Sequence, residues 1–113
     1  MELNAYQRAA HTTSLNTRYG DADVASLIYP TLKLAGEAGE FGEKVGKLLR
    51  DKEGRIAAED RRALADELGD VLWYLAEVAT VLGLDLDEIG RANLDKLRSR
   101  AERGVIQGSG DRR

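Results

Sequence analysis

Cysteine is absent from the 113 residues, which removes disulfides, thiol catalysis and cysteine-based zinc sites together. Proline occurs once, so little in the chain interrupts a helix. Histidine also occurs once, at His11, and is read as a surface or packing residue. Positive charge is not in excess. Seventeen Lys and Arg stand against twenty Asp and Glu, a formal net charge of −3. That balance argues against nucleic acid as a partner, which calls for clustered cations. Long hydrophobic runs are missing too. The longest mostly apolar stretch, residues 71–84, is interrupted by Glu77 and Thr80 and is too short to span a bilayer. The start, Met1-Glu2-Leu3-Asn4, lacks a basic region followed by an apolar run. The expectations are therefore no signal peptide, no membrane partner and a cytoplasmic location. Phosphate-cradling P-loops, dinucleotide glycine fingerprints and Gly-x-Ser-x-Gly elbows are all lacking.

What remains is a helix-forming composition of 42% hydrophobic and 33% charged residues, rich enough for a globular fold. At this length one domain is expected, with only about two-thirds of the unfolded surface buried. Periodicity predicts four helices in an all-α helical bundle, and a core this modest leaves oligomerisation open. The first covers about residues 3–16, and residues 17–26 read as a loop. Pro30 suits the first turn of a second helix, whose Leu34, Ala38, Phe41, Val45 and Leu48 recur at helical steps. After a connection at residues 51–55, the third helix carries Leu64, Leu68, Val71, Leu75, Val78 and Leu82 as its expected core stripe. Gly83 ends it, and Asp85 with Glu88 forms a capping box for the fourth. The domain is taken as 1–103, with 104–113 a glycine-rich extended tail.

Two stretches repeat each other at an offset of thirty residues, Leu34-Ala-Gly-Glu-Ala-Gly-Glu-Phe41 and Leu64-Ala-Asp-Glu-Leu-Gly-Asp-Val71. On a helix, Glu37 and Glu40 lie roughly 60° and 120° from the Leu34 direction, on one side. Glu67 and Asp70 stand in the same relation to Leu64. If the two stripes pack together, four carboxylates converge at the edge of the core, where they repel unless a cation joins them. Carboxylate oxygens are the hard ligands that Mg²⁺ and Mn²⁺ prefer. A single acid pair of this spacing is usually just a solvated helix face; the duplication is what favours a metal. A di-iron bundle is rejected, because it needs two Glu-x-x-His motifs.

Other features surround the acids. Gly39, Gly42 and Gly46 share one face of the second helix and would let the first helix or a second subunit approach. Asn93, Lys96 and Arg100 lie within roughly 60° on the fourth helix, an amide and two cations suited to phosphate. An ordinary basic face near a helix C-terminus is the plain alternative. Tyr74, one turn after Asp70, could stack on a base or sugar. Trp73 points away from Leu64, exposed or in a subunit interface. Lys44 is read as an i, i+4 partner of Glu40.

Glu37-Ala-Gly-Glu40, then 26 residues, then Glu67-Leu-Gly-Asp70 resembles the E-x-x-E…E-x-x-D signature of the MazG-type nucleotide pyrophosphohydrolases. The similarity extends through Asn93-Leu-Asp-Lys96-Leu-Arg-Ser-Arg100 and the glycine-rich ending, covering most of the chain from about residue 32. The first thirty residues match only loosely. The resemblance implies a helical bundle completed as a homodimer or homotetramer. It implies hydrolysis of a nucleoside triphosphate to monophosphate and pyrophosphate with Mg²⁺, or Mn²⁺ in its place. It also implies that Glu37, Glu40, Glu67 and Asp70 coordinate metal, that Lys96 and Arg100 contact phosphates, and that Tyr74 contacts the nucleotide. Glu40 is assigned the water-orienting role, because one acid of a crowded cluster often stays free of the metal. The rival reading is a non-catalytic, nucleotide- and metal-binding regulatory module. Base and sugar preference is not carried over.

Overall fold

In the computed structural model, residues 2–15 and 23–111 are described. Four helices follow in order: α1 (Glu2–His11), α2 (Val24–Lys52), α3 (Ala58–Val81) and α4 (Leu86–Glu102). The chain is all-α, and no strand occurs among the described residues. None of the helices is long and apolar enough to cross a membrane.

Local chemistry sets the boundaries. The Asp23 carboxylate accepts from Ser26 N at 2.8 Å and from Ser26 Oγ at 2.7 Å, an N-cap that starts α2 at Val24. Pro30 is thus inside the helix, not in its first turn as the sequence suggests. The helix starts from the cap at Asp23 and continues through the proline, which removes only the one ladder bond its own N–H would have made. The first helix is also shorter than expected, closing at His11 with residues 12–15 non-helical, and α2 takes residues 24–26 of the expected loop; residue 16 and loop residues 17–22 lie outside the described residues.

α2 ends where Glu53 adopts φ 54°, a left-handed conformation, followed by Gly54 at φ 78°. Lys52 Nζ then donates to both oxygens of Asp60 at 2.9 Å, and Asp60 accepts from Ala57 N, also at 2.9 Å. That ties the α2–α3 hairpin shut and caps the start of α3. Gly83, at φ 70°, lets Leu84 N reach Ala79 O at 2.9 Å, closing α3 as expected. Asp85 caps α4 by accepting from Glu88 N at 2.8 Å.

α2 packs along α3 as an antiparallel pair, α1 lies on α3, and α4 finds its main packing partner in α1. Gln7 joins these pieces. Its Nε2 donates to Thr80 Oγ1 (3.1 Å) and Leu84 O (2.9 Å), while its Oε1 accepts from Leu86 N (2.9 Å). Asn4 Oδ1 accepts from Asp87 N at 3.0 Å, so α1 side chains satisfy donors that the first turn of α4 would otherwise leave open.

The buried core is small: Ala76, Ala79 and Leu86 cluster together, edged by Leu3 and Tyr6, with Ala10 and Val81 also buried. The expected α3 stripe is only half right. Leu64, Val71 and Val78 are half-buried, but Leu68, Leu75 and Leu82 are exposed. The reason is that α3 is gripped by α2 and α1 on its other sides, leaving this leucine row open. The glycine face of α2 is open too: a Cβ added at Gly39, Gly42 or Gly46 would meet nothing within 4 Å, so α1 does not approach it. The Cα radius of gyration is 17.0 Å, against roughly 13 Å for a compact domain near this length.

The tail is not extended. Val105 N donates to Arg100 O at 2.9 Å, and Asp111 lies back against α4, receiving Lys96 Nζ at 2.8 Å.

A candidate acidic metal centre

The repeated stretches lie on α2 and α3, and their antiparallel packing brings the acids together. One carboxylate oxygen from each of Glu37, Glu67 and Asp70 lies within 4.8 Å of the others. Glu40 lies outside that set but stands against Glu37, whose carboxyl is pushed above the usual range, chiefly by desolvation and then by Glu40 and Asp70. The glutamates Glu37 and Glu67 are each only 12% exposed at the side chain.

Two lysines partly offset this charge. Lys33 Nζ is 3.9 Å from Glu37 and Lys44 Nζ is 3.3 Å from Glu67. Lys44 therefore serves the other helix rather than Glu40, because it faces α3 across the hairpin. Four carboxylates and two ammonium groups leave a formal charge of −2 at the cluster. Glu37 Oε2 and Glu67 Oε2 are buried with no hydrogen-bond partner. Orphaned acceptors of this kind carry a desolvation penalty, which a cation between them would relieve. Oxygen-only donors at this spacing fit a hard divalent ion.

Tyr74 does face the acids. Burial chiefly raises its phenol pKa, followed by Tyr29, Glu37 and Asp70, and Lys33 sits 5.8 Å above its ring. Trp73 meets Tyr74 edge-on at 4.9 Å, and its indole N–H donates to Thr13 Oγ1 at 3.0 Å. So Trp73 is half-buried within the protomer, held by the end of α1, rather than pointing freely outward. Together with Tyr29, Pro30 and Glu77 these residues line a cleft of about 430 Å³. Sequence reasoning missed Tyr29, Thr13 and Glu77 here. Tyr29 precedes the expected helix start, and Thr13 and Glu77 come into contact with the cleft only through tertiary packing. Tyr6 was missed as well; its phenol is raised by burial and then by Asp70, which puts α1 beside the acids.

The cations of α4 stand apart from this group. Asn93 is exposed, and Lys96 and Arg100 both engage Asp111 rather than any acid of α2 or α3. Packing of α4 on α1, rather than along α2, is what keeps them separate within one protomer.

The chain is 50% identical over its whole length to the gene 37 protein of Mycobacterium phage L5, which is covered completely. It is 31% identical over 74 residues to the Bacillus subtilis (strain 168) protein YvdC, a match spanning 61% of this chain and 70% of that protein. No solved structure matches. Residues 29–105, which contain both acid pairs, Tyr74 and the α4 cations, match the MazG nucleotide pyrophosphohydrolase domain. The acid repeat on paired helices and this match lead to one conclusion: the chain belongs to the MazG nucleotide pyrophosphohydrolase family.

Proposed function

We propose that this protein hydrolyses nucleoside or deoxynucleoside triphosphates to the monophosphate and pyrophosphate, with Mg²⁺ or Mn²⁺ held by Glu37, Glu67 and Asp70. The observation that carries the reading is the convergence of these three carboxylates with two buried, unpartnered oxygens. Such a bound cation supplies charge neutralisation at phosphate and makes a coordinated water more acidic. In this reading Glu40, next to the cluster but outside its three-oxygen set, orients the attacking water and takes its proton. Lys33 and Lys44 hold the acids at reduced repulsion before the ion arrives. Tyr74 and the cleft beside it offer an aromatic wall for the base or sugar. Attack at the α-phosphorus makes pyrophosphate the leaving group, and positioning with charge stabilisation does most of the work.

The phosphate-binding assignment of Asn93, Lys96 and Arg100 then requires the α4 face to reach an acid cluster on another protomer. Area supports an assembly. A compact monomer of this size exposes roughly 6,100 Å², whereas the single chain exposes 8143 Å². The excess, on the order of 2,000 Å² per chain, is what an obligate homo-oligomer buries. Ile28 and Leu32 on α2, with Leu68 and Leu75 on α3, contribute to that exposure. We assign a homodimer or homotetramer on this basis.

The test is pyrophosphate release from a panel of triphosphates with and without divalent metal. Glu40→Ala and Asp70→Ala abolish metal-dependent release while circular dichroism shows intact helices. Undiminished turnover in either variant removes the site. Nucleotide and metal binding without monophosphate formation would favour the non-catalytic module instead.

A further inference from the structure

Arg100 is the one buried cation among the described residues, with its side chain 6% exposed. A guanidinium taken out of water needs acceptors for its fork of N–H donors. What it has is unusual. Its Nη2 donates to the Asp111 backbone oxygen and lies 3.3 Å from Asp111 Oδ1, while its Nε is buried with no hydrogen-bond partner. Lys96 Nζ donates to the same Oδ1 at 2.8 Å. One carboxylate oxygen thus serves two cations, and it comes from a residue whose side chain is 80% exposed in the chain's last turn. Gly104 at φ 70° and Gly110 at φ 87° permit the reversal that brings it there.

Two cations on one helix turn, bridged by a single oxygen and with a buried donor still open, are under-satisfied. An anion with more oxygens and more charge satisfies them better. We propose that Asp111 is an internal stand-in for a phosphate, so that a polyphosphate reaches Lys96 and Arg100 only by displacing the C-terminal tail. That nucleotide substrate is the natural displacing anion rests on the function proposed above; the occupancy of the cation pair by Asp111 does not. Gly108 and Gly110, with no bulky side chain between them and the aspartate, make release of the last turn inexpensive.

The experiment is calorimetric titration of the full chain with inorganic pyrophosphate in the presence of a chelator, so that the acid cluster takes no part. Asp111 is exposed, so its replacement leaves the helices intact. Asp111→Asn binds pyrophosphate about two- to fivefold more tightly than the parent, the factor expected for losing one largely exposed competing carboxylate. Asp111→Glu stays within about twofold of the parent, since the charge is kept. In a turnover assay D111N lowers KM by a similar factor with kcat little changed. Equal or weaker pyrophosphate binding by D111N, or no binding by either protein, overturns the tail proposal whatever the turnover assay gives. Tighter binding by D111N in a protein that releases no pyrophosphate from triphosphates keeps the tail proposal and sinks the catalytic one.

Discussion

Gln7 is the polar joint of the molecule, and its removal has a calculable cost. Its side chain makes three hydrogen bonds, to Thr80 Oγ1, Leu84 O and Leu86 N, at 2.9–3.1 Å. The residue is 8% exposed, so water does not readily replace these partners. In Gln7→Ala the Leu86 N–H becomes a buried donor without an acceptor, costing about 1–3 kcal/mol. Thr80 Oγ1 loses little, because it still donates to Ala76 O at 3.0 Å. The Leu84 carbonyl adds about 1 kcal/mol. The total is about 2–4 kcal/mol, a fall in Tm on the order of 10 °C for a chain of this size.

Thermal and urea denaturation followed by circular dichroism measure it. Gln7→Glu is the sharper probe. It keeps the acceptor for Leu86 N but points a carboxylate at the Leu84 carbonyl. The native state then favours the protonated acid, so Q7E recovers stability as pH falls and loses it as pH rises through the elevated folded pKa. A cost below about 0.5 kcal/mol for Q7A, or a Q7E variant indifferent to pH, refutes the view that α1 holds the start of α4 through this side chain.

Two further outcomes follow from the same structure. The carboxyl of Asp60 is held below the usual aspartate range, first by Lys52 and then by the Ala57 N–H. Its contribution is therefore present above the unfolded value and lost as pH falls through the folded one, so Asp60→Asn lowers Tm near neutral pH and the deficit closes in acid. Leu32 is 67% exposed on the open face of α2, and Leu32→Asp shifts the proposed oligomer to monomer in sedimentation while the monomer stays helical.

How much of this was legible beforehand depends on the range of the forces involved. The acid repeat was legible because it needs only helical spacing within α2 and α3 and their mutual packing. The end at Gly83 and the cap at Asp85 are likewise local, and both occur as read. The start of α2 is obscured in the sequence because Pro30 is a loud local signal, whereas the Asp23–Ser26 cap is a quiet one. Periodicity alone makes the α3 leucine row look like core. Periodicity says that a face wants burial but not which surface supplies it, and the single chain leaves Leu68 and Leu75 uncovered. Lys44 illustrates the same limit: i, i+4 spacing offers Glu40, but the facing helix offers Glu67 at 3.3 Å. Gln7 carried no signal, since nothing near it in sequence needs it.

The same distinction bears on how an acidic chain can handle a polyanion. Net charge of −3 repels a triphosphate at long range, so the proposed substrate needs local charges, which this chain keeps in two separate stores. One is the carboxylate cluster, left at a formal −2 by Lys33 and Lys44, the charge that a single divalent ion neutralises. The other is Lys96 and Arg100, covered by Asp111. Each store is partly neutralised by groups of this chain, and each retains buried polar atoms without partners: Glu37 Oε2 and Glu67 Oε2 in the first, Arg100 Nε in the second. Unmet groups of opposite sign on different helices are costly apart and complementary together, with metal and phosphate as the link between them. Packing α4 on α1 keeps them apart within one chain, so the proposed function needs an assembly to bring them together.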